Sequence, residues 1–441
     1  MKNWLDRFFK LKENNTSVRI ELLGGATTFM TMSYIIFVQP AILSIAGMDR
    51  GAVMMATCLA SAIATLLMGL LAKYPIAQAP AMGHNVFFAV VVCGTMGYSW
   101  QVALGAVFIS GIAQIILSLA GFYNKLVAAV PESLKHAIAV GIGLLIALIG
   151  LEYAGIVVAA PGTYVGLGDL TSPPVLLALF GVVVTAMLMA WKVRGGILLG
   201  ILATALLGIP LGIVKYHGLM AAPPSLAPTL FKLDILGALN SGFFSVIFVF
   251  FFLDMFDCVG TLIGVSSPAG FIKNGKLPRA NQAILADAIG TAEGALLGTS
   301  TVSSYIESAT GIAQGARTGL ANVMTSFLFI AAVFFSPLAE MISGEVKFKD
   351  LALKPVIAPA LIIVGYLMMK SVTHIDWDDL TEAIPAFLAI ILMPLTASIT
   401  EGIAFGFLSF SILKLATGKG RSVHWLVYLF SALFIVRYIL K

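Results

Sequence analysis

Charged residues are scarce in this chain. Asp, Glu, Lys and Arg make up 11% of its 441 residues, whereas soluble domains average about 25%. Hydrophobic residues make up 59%, and the mean hydropathy is +1.01. This composition excludes an ordinary soluble domain and predicts a polytopic protein of the lipid bilayer. The net charge of +5 comes from basic residues in short loops between apolar runs, which indicates membrane orientation and no nucleic-acid partner.

Cysteine and histidine are also rare. The three cysteines, Cys58, Cys93 and Cys258, fall in apolar runs without metal-ligand spacing, so we interpret them as buried thiols. None of the five histidines has a ligand-like partner in the sequence, and no G-x-S-x-G nucleophile motif occurs. The sequence therefore predicts no metal, no cofactor and no catalytic site.

Long apolar runs are abundant, and about 20 apolar residues suffice to cross a bilayer. On that rule the first half of the chain contains seven predicted spans, at 24–47, 51–72, 80–97, 100–121, 132–154, 173–191 and 195–215. The second half contains seven more, at 236–264, 281–298, 300–316, 318–343, 353–371, 382–397 and 400–416. A final run at 423–440 has basic residues at both ends, so we interpret 423–441 as an interfacial helix, with a fifteenth span as the alternative.

Basic residues set the predicted orientation. Five of them precede the first span, namely Lys2, Arg7, Lys10, Lys12 and Arg19. Because cytoplasmic loops carry an excess of Lys and Arg, residues 1–23 are predicted to form a cytoplasmic amphipathic segment rather than a cleavable signal peptide. The predicted location is a bacterial cytoplasmic (inner) membrane, crossed many times.

Seven spans followed by seven spans indicate a duplicated unit. Because seven is odd, the second copy is inverted relative to the first, as in many transporters. The predicted fold class is therefore an all-α integral membrane protein with about fourteen transmembrane segments in a 7+7 inverted repeat. The third segment of each half, 74–97 and 299–316, is interrupted by Pro or by Ser and Thr, which predicts an extended stretch followed by a short half-helix.

Two acidic residues lie inside long apolar stretches. Asp257 falls in span 8, and Glu307 falls near the start of the second half-helix. A carboxylate at membrane depth costs several kcal/mol unless a partner, water or ligand compensates it, so both residues are candidates for a functional site. Half-helix N-termini aimed at the membrane centre add free N–H groups and positive dipole ends. Such a pocket suits a planar heterocycle with donors and acceptors, and either carboxylate is able to take up a coupling proton.

Other polar residues have competing interpretations. Asn85, at the first half-helix, offers a donor and an acceptor and is a candidate for the site, whereas His84 is at least as well explained as a structural histidine. Tyr305 is a candidate for stacking on a ligand. Asp254 is a candidate for proton coupling or support, with pairing to a neighbour as the alternative. Asp287 is better explained by a hydrogen bond to the backbone of an interrupted helix.

Glycines recur in the same segments. Six of them are predicted to allow close helix packing, namely Gly83, Gly260, Gly264, Gly290, Gly298 and Gly311. The phenylalanine-rich run 247–252 is interpreted as packing bulk rather than as a stacking surface.

Several stretches resemble one family in combination. They are GATTFMTMSYIIFVQPAILSIAGMD, APAMGHNVFFA, FFLDMFDCVGTLIGV, LADAIGT, GTSTVSSYIESATGIAQGARTGL and FFSPL. Together they resemble the nucleobase–ascorbate type of transporter, in its azaguanine-resistance (AzgA-like) purine permease branch. The resemblance implies fourteen spans in two inverted repeats, with a core domain at 24–121 and 236–343 and a gate domain at 125–215 and 350–417. It also implies a homodimer, proton symport and an elevator-like motion of core against gate.

The resemblance also selects residues. In related uracil permeases, one carboxylate on span 8 and one on span 10 bind the base. The carboxylate-x-Val-Gly-x-Leu pattern of span 8 is similar to residues 257–262, and the Tyr-x-Glu pattern of span 10 resembles residues 305–307. This similarity favours Asp257 over Asp254 and makes Thr261, one turn away, a possible partner.

The resemblance therefore implies a secondary active transporter that imports purine nucleobases with protons. The chain departs from the branch pattern at AMGHN, where Leu is usual at the position of His84. The purine is left open among adenine, guanine, hypoxanthine and xanthine, and Na⁺ remains an alternative to the proton. The alternatives to a purine permease are an anion transporter of the sulfate or bicarbonate type on the same fold, a passive channel and, less favoured, an integral-membrane enzyme.

Overall fold

The chain was analysed as a computed structural model that describes residues 2–121, 130–160, 164–216, 218–240, 244–266, 269–272, 277–348 and 351–440. The predicted domain boundaries at residues 125 and 350 lie outside the described residues.

The first half of the chain is helical with three short strands. Its helices are α1 (Lys2–Phe9), α2 (Val18–Met32), α3 (Ile35–Leu43), α4 (Arg50–Leu67), α5 (Met82–Val86), α6 (Trp100–Leu119), α7 (Glu132–Tyr153), α8 (Pro173–Ala190) and α9 (Gly196–Gly208). Two of them continue as π-helices, α4 through Met68–Ala72 and α5 through Phe87–Thr95. The strands are β1 (Gln78–Pro80), β2 (Val157–Ala160) and β3 (Tyr164–Leu167).

The second half has the same character. Its helices are α10 (Ile235–Asn240), α11 (Phe244–Ser266), α12 (Ala280–Leu297), α13 (Ser308–Ala313), α14 (Leu320–Ala332), α15 (Ser336–Ser343), α16 (Ala358–Met369), α17 (Leu380–Leu395), α18 (Ile399–Ala416) and α19 (Trp425–Leu440). The strands are β4 (Val302–Ser304), β5 (Val346–Phe348) and β6 (Leu351–Leu353).

Helix boundaries follow local signals in the sequence. The Ser99 hydroxyl and the Asp49 carboxylate each accept a hydrogen bond from the N–H three residues later, which caps α6 and α4. Helix α2 begins at Val18, so the predicted boundary at residue 23 lies inside it. Helix α9 ends at Gly208, shortly before Pro210, which lacks the N–H that would extend a helix. The prediction of a span reaching residue 215 is therefore wrong at its end.

Within the described part of the chain, seven helical segments are long and apolar enough to cross a membrane by length and composition. Five shorter apolar helical segments accompany them. The predicted interruption of both third segments is confirmed, since each consists of a strand followed by a short helix. A mostly helical membrane protein is thus the architecture that the structure supports.

The helices pack as two groups. The first group is formed by α2 to α6 together with α11 to α15, and its largest contact joins α12 to α6. The second group is formed by α7 to α9 together with α16 to α19, and its largest contact joins α16 to α7. Strands β1 and β4 lie in the first group, whereas the hairpins β2–β3 and β5–β6 lie at the ends of helices of the second group.

Candidate functional site

Two extended segments from opposite halves of the chain pair inside the first helix group. Strands β1 and β4 are antiparallel, with Gln78 opposite Ser304 and Pro80 opposite Val302. All six residues of the pair are buried. Because a bilayer offers no water to unpaired backbone groups, extended chain survives there only where other protein groups bond to it. The strands therefore bond to each other, and the hydroxyls of Thr65 and Thr291 bond to the backbone of Gln78 and Val302.

Glu307 sits where β4 turns into the short helix α13. It is the N-cap residue of that helix, and its side chain is partly exposed. Its Oε1 accepts a 2.7 Å hydrogen bond from the hydroxyl of Tyr34, which is only 2% exposed. One carboxylate oxygen is thus bound inside the protein, while the side chain as a whole stays partly exposed.

Asp257 lies on the neighbouring helix α11 and is also partly exposed. It is close enough to Glu307 for their charges to interact, and Ser303 of β4 lies beside it. Two like charges that approach in a low-dielectric region repel each other unless donors or protons compensate them. Donor groups of a ligand placed between the two carboxylates would supply that compensation.

An open face of α11 runs past Asp257. Gly260 and Gly264 follow it at helical spacing on the same face, and both are exposed. A Cβ atom built on either glycine would meet nothing within 4 Å. Ile306, next to Glu307 in the chain, is 59% exposed. The two carboxylates therefore border this open face, which we call the cleft, and do not lie in a closed core.

This open face corrects one prediction. The prediction that six glycines permit close helix packing is wrong for Gly260 and Gly264, because no atom of the described residues lies within 4 Å of a Cβ built at either position. For Gly83 and Gly311 it is right, since an added Cβ would lie 2.7 Å from Ile142 Cγ2 and 2.2 Å from Thr28 Oγ1, respectively. The prediction is likewise right for Gly290, which faces Ala64 of α4, whereas Gly298 ends α12 in a left-handed conformation and faces Thr229 in a turn.

Asp254 is directed into the protein instead of the cleft. It is fully buried, and its Oδ2 accepts hydrogen bonds from Gln114 Nε2 at 2.8 Å and from Thr291 Oγ1 at 2.9 Å. Its Oδ1 has no hydrogen-bond partner among the described residues. The sequence interpretation of Asp254 as a residue paired with neighbours agrees with these contacts.

Asp287 bonds to both crossing strands. Its Oδ1 accepts 2.9 Å hydrogen bonds from Gln78 Nε2 of β1 and from Ser304 Oγ of β4. The sequence favours a bond to the backbone of an interrupted helix, and a backbone hydrogen bond from Ser304, in the interrupted segment 299–316, accompanies these two side-chain bonds. Asp287 is fully buried, and it thus links β1 and β4 from behind the cleft.

Asn85 is fully buried on α5 and belongs to a second polar cluster. The Ser300 hydroxyl donates to Asn85 Oδ1, and Gln39 Nε2 donates to Thr299 Oγ1 at 2.9 Å. Asn85 Nδ2 has no partner among the described residues. The described contacts do not join Asn85 to either cleft carboxylate. The structure places Asn85 beside Ser300, in the segment that leads into β4, and not beside Glu307.

Tyr305 and His84 are also buried. The Tyr305 hydroxyl donates to Pro80 O at 2.6 Å, so this side chain ties β4 to β1. His84 is 3% exposed, and neither ring nitrogen has a hydrogen-bond partner in the described part of the chain. Thr261, one turn beyond Asp257, is partly exposed on α11. Of the predicted site residues, Asp257, Glu307 and Thr261 are therefore the ones that the structure leaves partly exposed.

Sequence reasoning missed Tyr34, Gln39 and Gln78. Tyr34 lies in the break between α2 and α3, and Gln39 and Gln78 are fully buried amides. A glutamine within an apolar run is a usable signal, because a buried amide requires partners. Tyr34 carries no comparable signal, since tyrosines are common in membrane spans.

Comparison with known proteins gives consistent matches over nearly the whole chain. A family model described as a permease family (Xan_ur_permease) matches residues 19–405. The guanine/hypoxanthine permease PbuG of Bacillus subtilis is 45% identical, over 98% of this chain and 99% of its own length. The adenine permease AdeP of Escherichia coli is 44% identical, over 98% of this chain and 95% of its own length.

The fold itself is similar to a solved transporter structure. The transmembrane domain of a cyanobacterial bicarbonate transporter, BicA, superimposes with a TM-score of 0.63. The match covers 87% of this chain and 97% of that domain, at 18% sequence identity. At this identity the likeness concerns the fold.

Proposed function

Because this chain belongs to the nucleobase–ascorbate transporter family of permeases, we propose that it carries purine nucleobases across the membrane. Family and relatives make it a transporter and not an enzyme. The named relatives handle adenine in one case and guanine or hypoxanthine in the other. Both groups of substrates share the purine ring, so the proposal is set at the level of that ring.

One observation carries this proposal. Asp257 and Glu307 border the same cleft, each partly exposed and close enough to the other for their charges to interact. Carboxylates accept hydrogen bonds only, and a purine base offers ring N–H and, in adenine and guanine, amino donors. Charge-assisted bonds from those donors would offset the repulsion between the two carboxylates.

The remaining predicted residues take supporting roles in this proposal. Thr261 borders the purine beside Asp257. Tyr305 acts through Pro80 of β1 and Asn85 through Ser300, to which they are bonded, and His84 is a candidate for ligand contact at the first half-helix. Asp254 and Asp287 support the crossing or hold the coupling proton. Their burial and their bonds to neighbouring helices and strands support this division of roles.

The proposal extends to the transport cycle. Fourteen segments form a 7+7 inverted repeat, in which the core domain carries the purine past the gate domain with an elevator-like motion. A proton taken up by a cleft carboxylate crosses with the purine, so import follows the proton gradient. The two packed helix groups support this division of the chain. We also propose a homodimer in a bacterial inner membrane, with a cytoplasmic N-terminus.

An anion transporter is the second candidate, because the fold is similar to that of a bicarbonate transporter. The two carboxylates weigh against it. An anion placed between Asp257 and Glu307 would be repelled by both, and the energy of that repulsion grows as the local dielectric constant falls. The purine proposal has no such conflict.

Uptake of a radiolabelled purine into cells or proteoliposomes tests the function. We expect unlabelled adenine, guanine, hypoxanthine or xanthine to compete in an order that identifies the substrate, and we expect a protonophore to abolish accumulation. Matched vesicles without the protein are the control. Transport of sulfate or bicarbonate without purine transport would overturn the proposal, and purine equilibration without accumulation would favour a channel.

A further inference from the structure

The hydrogen bond from Tyr34 to Glu307 is a feature of the cleft that the proposed function does not yet use. Tyr34 precedes α3 in the break of the first span, and Glu307 caps α13. The donor and acceptor atoms are 2.7 Å apart, and the tyrosine ring is buried. A rigid, buried phenol is therefore fixed against a flexible, partly exposed carboxylate.

The orientation of the carboxylate depends on this bond. A glutamate side chain has several rotatable bonds, and fixing it costs conformational entropy. The Tyr34 hydroxyl takes Oε1 as its acceptor, while the carboxylate stays partly exposed. The conformational-entropy cost of ordering the Glu307 side chain therefore arises when the protein folds, and it does not weaken ligand binding.

The surrounding contacts make Tyr34 a rigid support. Thr31 Oγ1 lies 3.0 Å from Thr310 Oγ1, so the end of α2 is joined to α13 a second time. Gly311 of α13 approaches α2 so closely that a Cβ there would lie 2.4 Å from the carbonyl oxygen of Gly24. The helix that precedes Tyr34 and the helix capped by Glu307 therefore hold a fixed relative position.

We propose that Tyr34 is a positioning residue for purine binding, which holds the Glu307 carboxylate so that Oε2 faces the donors of the base. This proposal rests on the proposed function. Tyr34 acts through Glu307, and it adds binding affinity by preorganising an acceptor.

Tyr34→Phe removes the hydroxyl and keeps the ring. We expect KM for the purine and Kd measured by calorimetry on purified protein to rise about tenfold, the equivalent of one charge-assisted hydrogen bond. Vmax should stay within about twofold, because a saturating purine restores the geometry. Tyr74→Phe is the matched control, since its hydroxyl donates to Pro278 O in the same helix group, and it should leave KM unchanged.

The possible outcomes separate the two proposals. If the unaltered protein neither binds nor transports purines, the proposed function fails. If it does and Tyr34→Phe retains the original KM and Kd, the positioning role alone is overturned. A fall in Vmax at unchanged KM would also overturn it. Thermal unfolding of both variants verifies that each is folded.

Lys354 carries a second, independent inference. It lies between β6 and α16 and is only 5% exposed. Its Nζ donates a 3.1 Å hydrogen bond to Ala41 O and lies 4.7 Å from the centre of the Tyr153 ring. A buried cation is costly unless its donors are satisfied.

The contact joins the two helix groups. Lys354 and Tyr153 belong to the second group, whereas Ala41 lies in the last turn of α3 in the first group. The last carbonyls of a helix lack intrahelical partners and carry partial negative charge, so they attract lysine. Through this hydrogen bond Lys354 connects the two groups directly.

The two ends of α4 show where along the bundle the Lys354 contact lies. Arg50, the first residue of α4, lies close enough to Lys354 for their charges to interact. Lys73, just beyond the other end of that helix, contacts Phe8 of α1. The Lys354 contact therefore lies at the end of the bundle opposite to α1.

We propose that Lys354 is a latch, which holds the two helix groups together at this end and is released when they move past each other. This inference rests on the proposed transport cycle. A carbonyl acceptor suits such a latch, because its release leaves no buried carboxylate without its partner charge.

Lys354→Met keeps an apolar side chain and removes the ammonium. The readout is labelling of one accessible cysteine introduced at the open face, Gly264→Cys, by an impermeant thiol reagent added to one side or the other of oriented proteoliposomes. Cys93 is replaced by Ser because it is partly exposed, whereas Cys58 and Cys258 are buried and are kept. We expect the ratio of the two labelling rates to change about fivefold, the population shift equivalent to one hydrogen bond.

Lys347→Met, at an exposed position of β5, is the matched control and should leave the ratio unchanged. Lys354→Arg retains a donor and should keep most of the original ratio, which separates the latch from a folding defect. An unchanged ratio in Lys354→Met would overturn the latch. Labelling from one side only in every variant, with purine present or absent, would instead contradict the transport cycle itself.

Discussion

Purine uptake is expected to fall about 100-fold when Glu307 is replaced by Gln, the equivalent of about 3 kcal/mol. Gln has nearly the same shape, and Tyr34 can still donate to its amide oxygen, so the fold should be retained. The amide nitrogen, however, presents donors where the base also presents donors. Uptake of radiolabelled purine per quantity of protein in the membrane measures the effect.

Glu340→Gln is the matched control for this substitution. Glu340 is an exposed carboxylate on α15, outside the cleft, so the same chemical change should leave uptake within about twofold of the original. Uptake of Glu307→Gln at a similar level would contradict the assignment of Glu307 to purine binding.

The second large effect is expected from Gly311→Ala. An added Cβ would lie 2.2 Å from Thr28 Oγ1 and 2.4 Å from the carbonyl oxygen of Gly24, so α13 has to move away from α2. Overpacking of this kind costs about 1–3 kcal/mol, and the displacement carries Glu307 with it. We expect uptake to fall more than about tenfold, together with a lower midpoint of thermal unfolding in detergent.

Gly264→Ala supplies the comparison for stability. A Cβ at residue 264 meets nothing within 4 Å, so the unfolding midpoint should remain at its original value. If Gly311→Ala unfolds at the same temperature as the unaltered protein and keeps its uptake, the close contact between α2 and α13 does not position the site.

Much of this site could be predicted from the sequence, because the membrane makes polar residues conspicuous. Asp257 and Glu307 stand out because each lies within an apolar run, which indicates a position inside the bilayer. The half-helix start at Glu307 follows from the Ser- and Thr-rich stretch before it. Composition alone also predicts a mostly helical membrane protein, as the structure has it.

Contacts between distant parts of the chain could not be predicted in this way. Tyr34 and Glu307 are 273 residues apart, and periodicity within a span does not encode that pairing. The same holds for Asn85, whose burial with Ser300 depends on how α5 crosses β4. The sequence predicts close packing at Gly260 and Gly264 because a glycine that faces a neighbouring helix and a glycine that faces a cleft are the same residue in the sequence.

The choice between Asp254 and Asp257 as the cleft residue draws on both the family resemblance and the structure. Three residues apart on one helix, the two aspartates are indistinguishable by hydropathy. The family pattern favours Asp257, and the structure turns Asp254 toward Gln114 and Thr291 while Asp257 stays partly exposed. The role of each in binding or proton coupling stays a prediction.

The pairing of β1 with β4 also constrains the order in which the protein is made. Gln78 and Ser304 are 226 positions apart, so most of the chain must be synthesised before either strand meets its partner. Until then the backbone groups of β1 that pair with β4 lack those partners, although Gln78 bonds through its N–H and C=O to the Thr65 hydroxyl within the first half. The backbone pairing of β1 is therefore completed only after β4 has been made, and the cleft beside the pair depends on both halves of the chain.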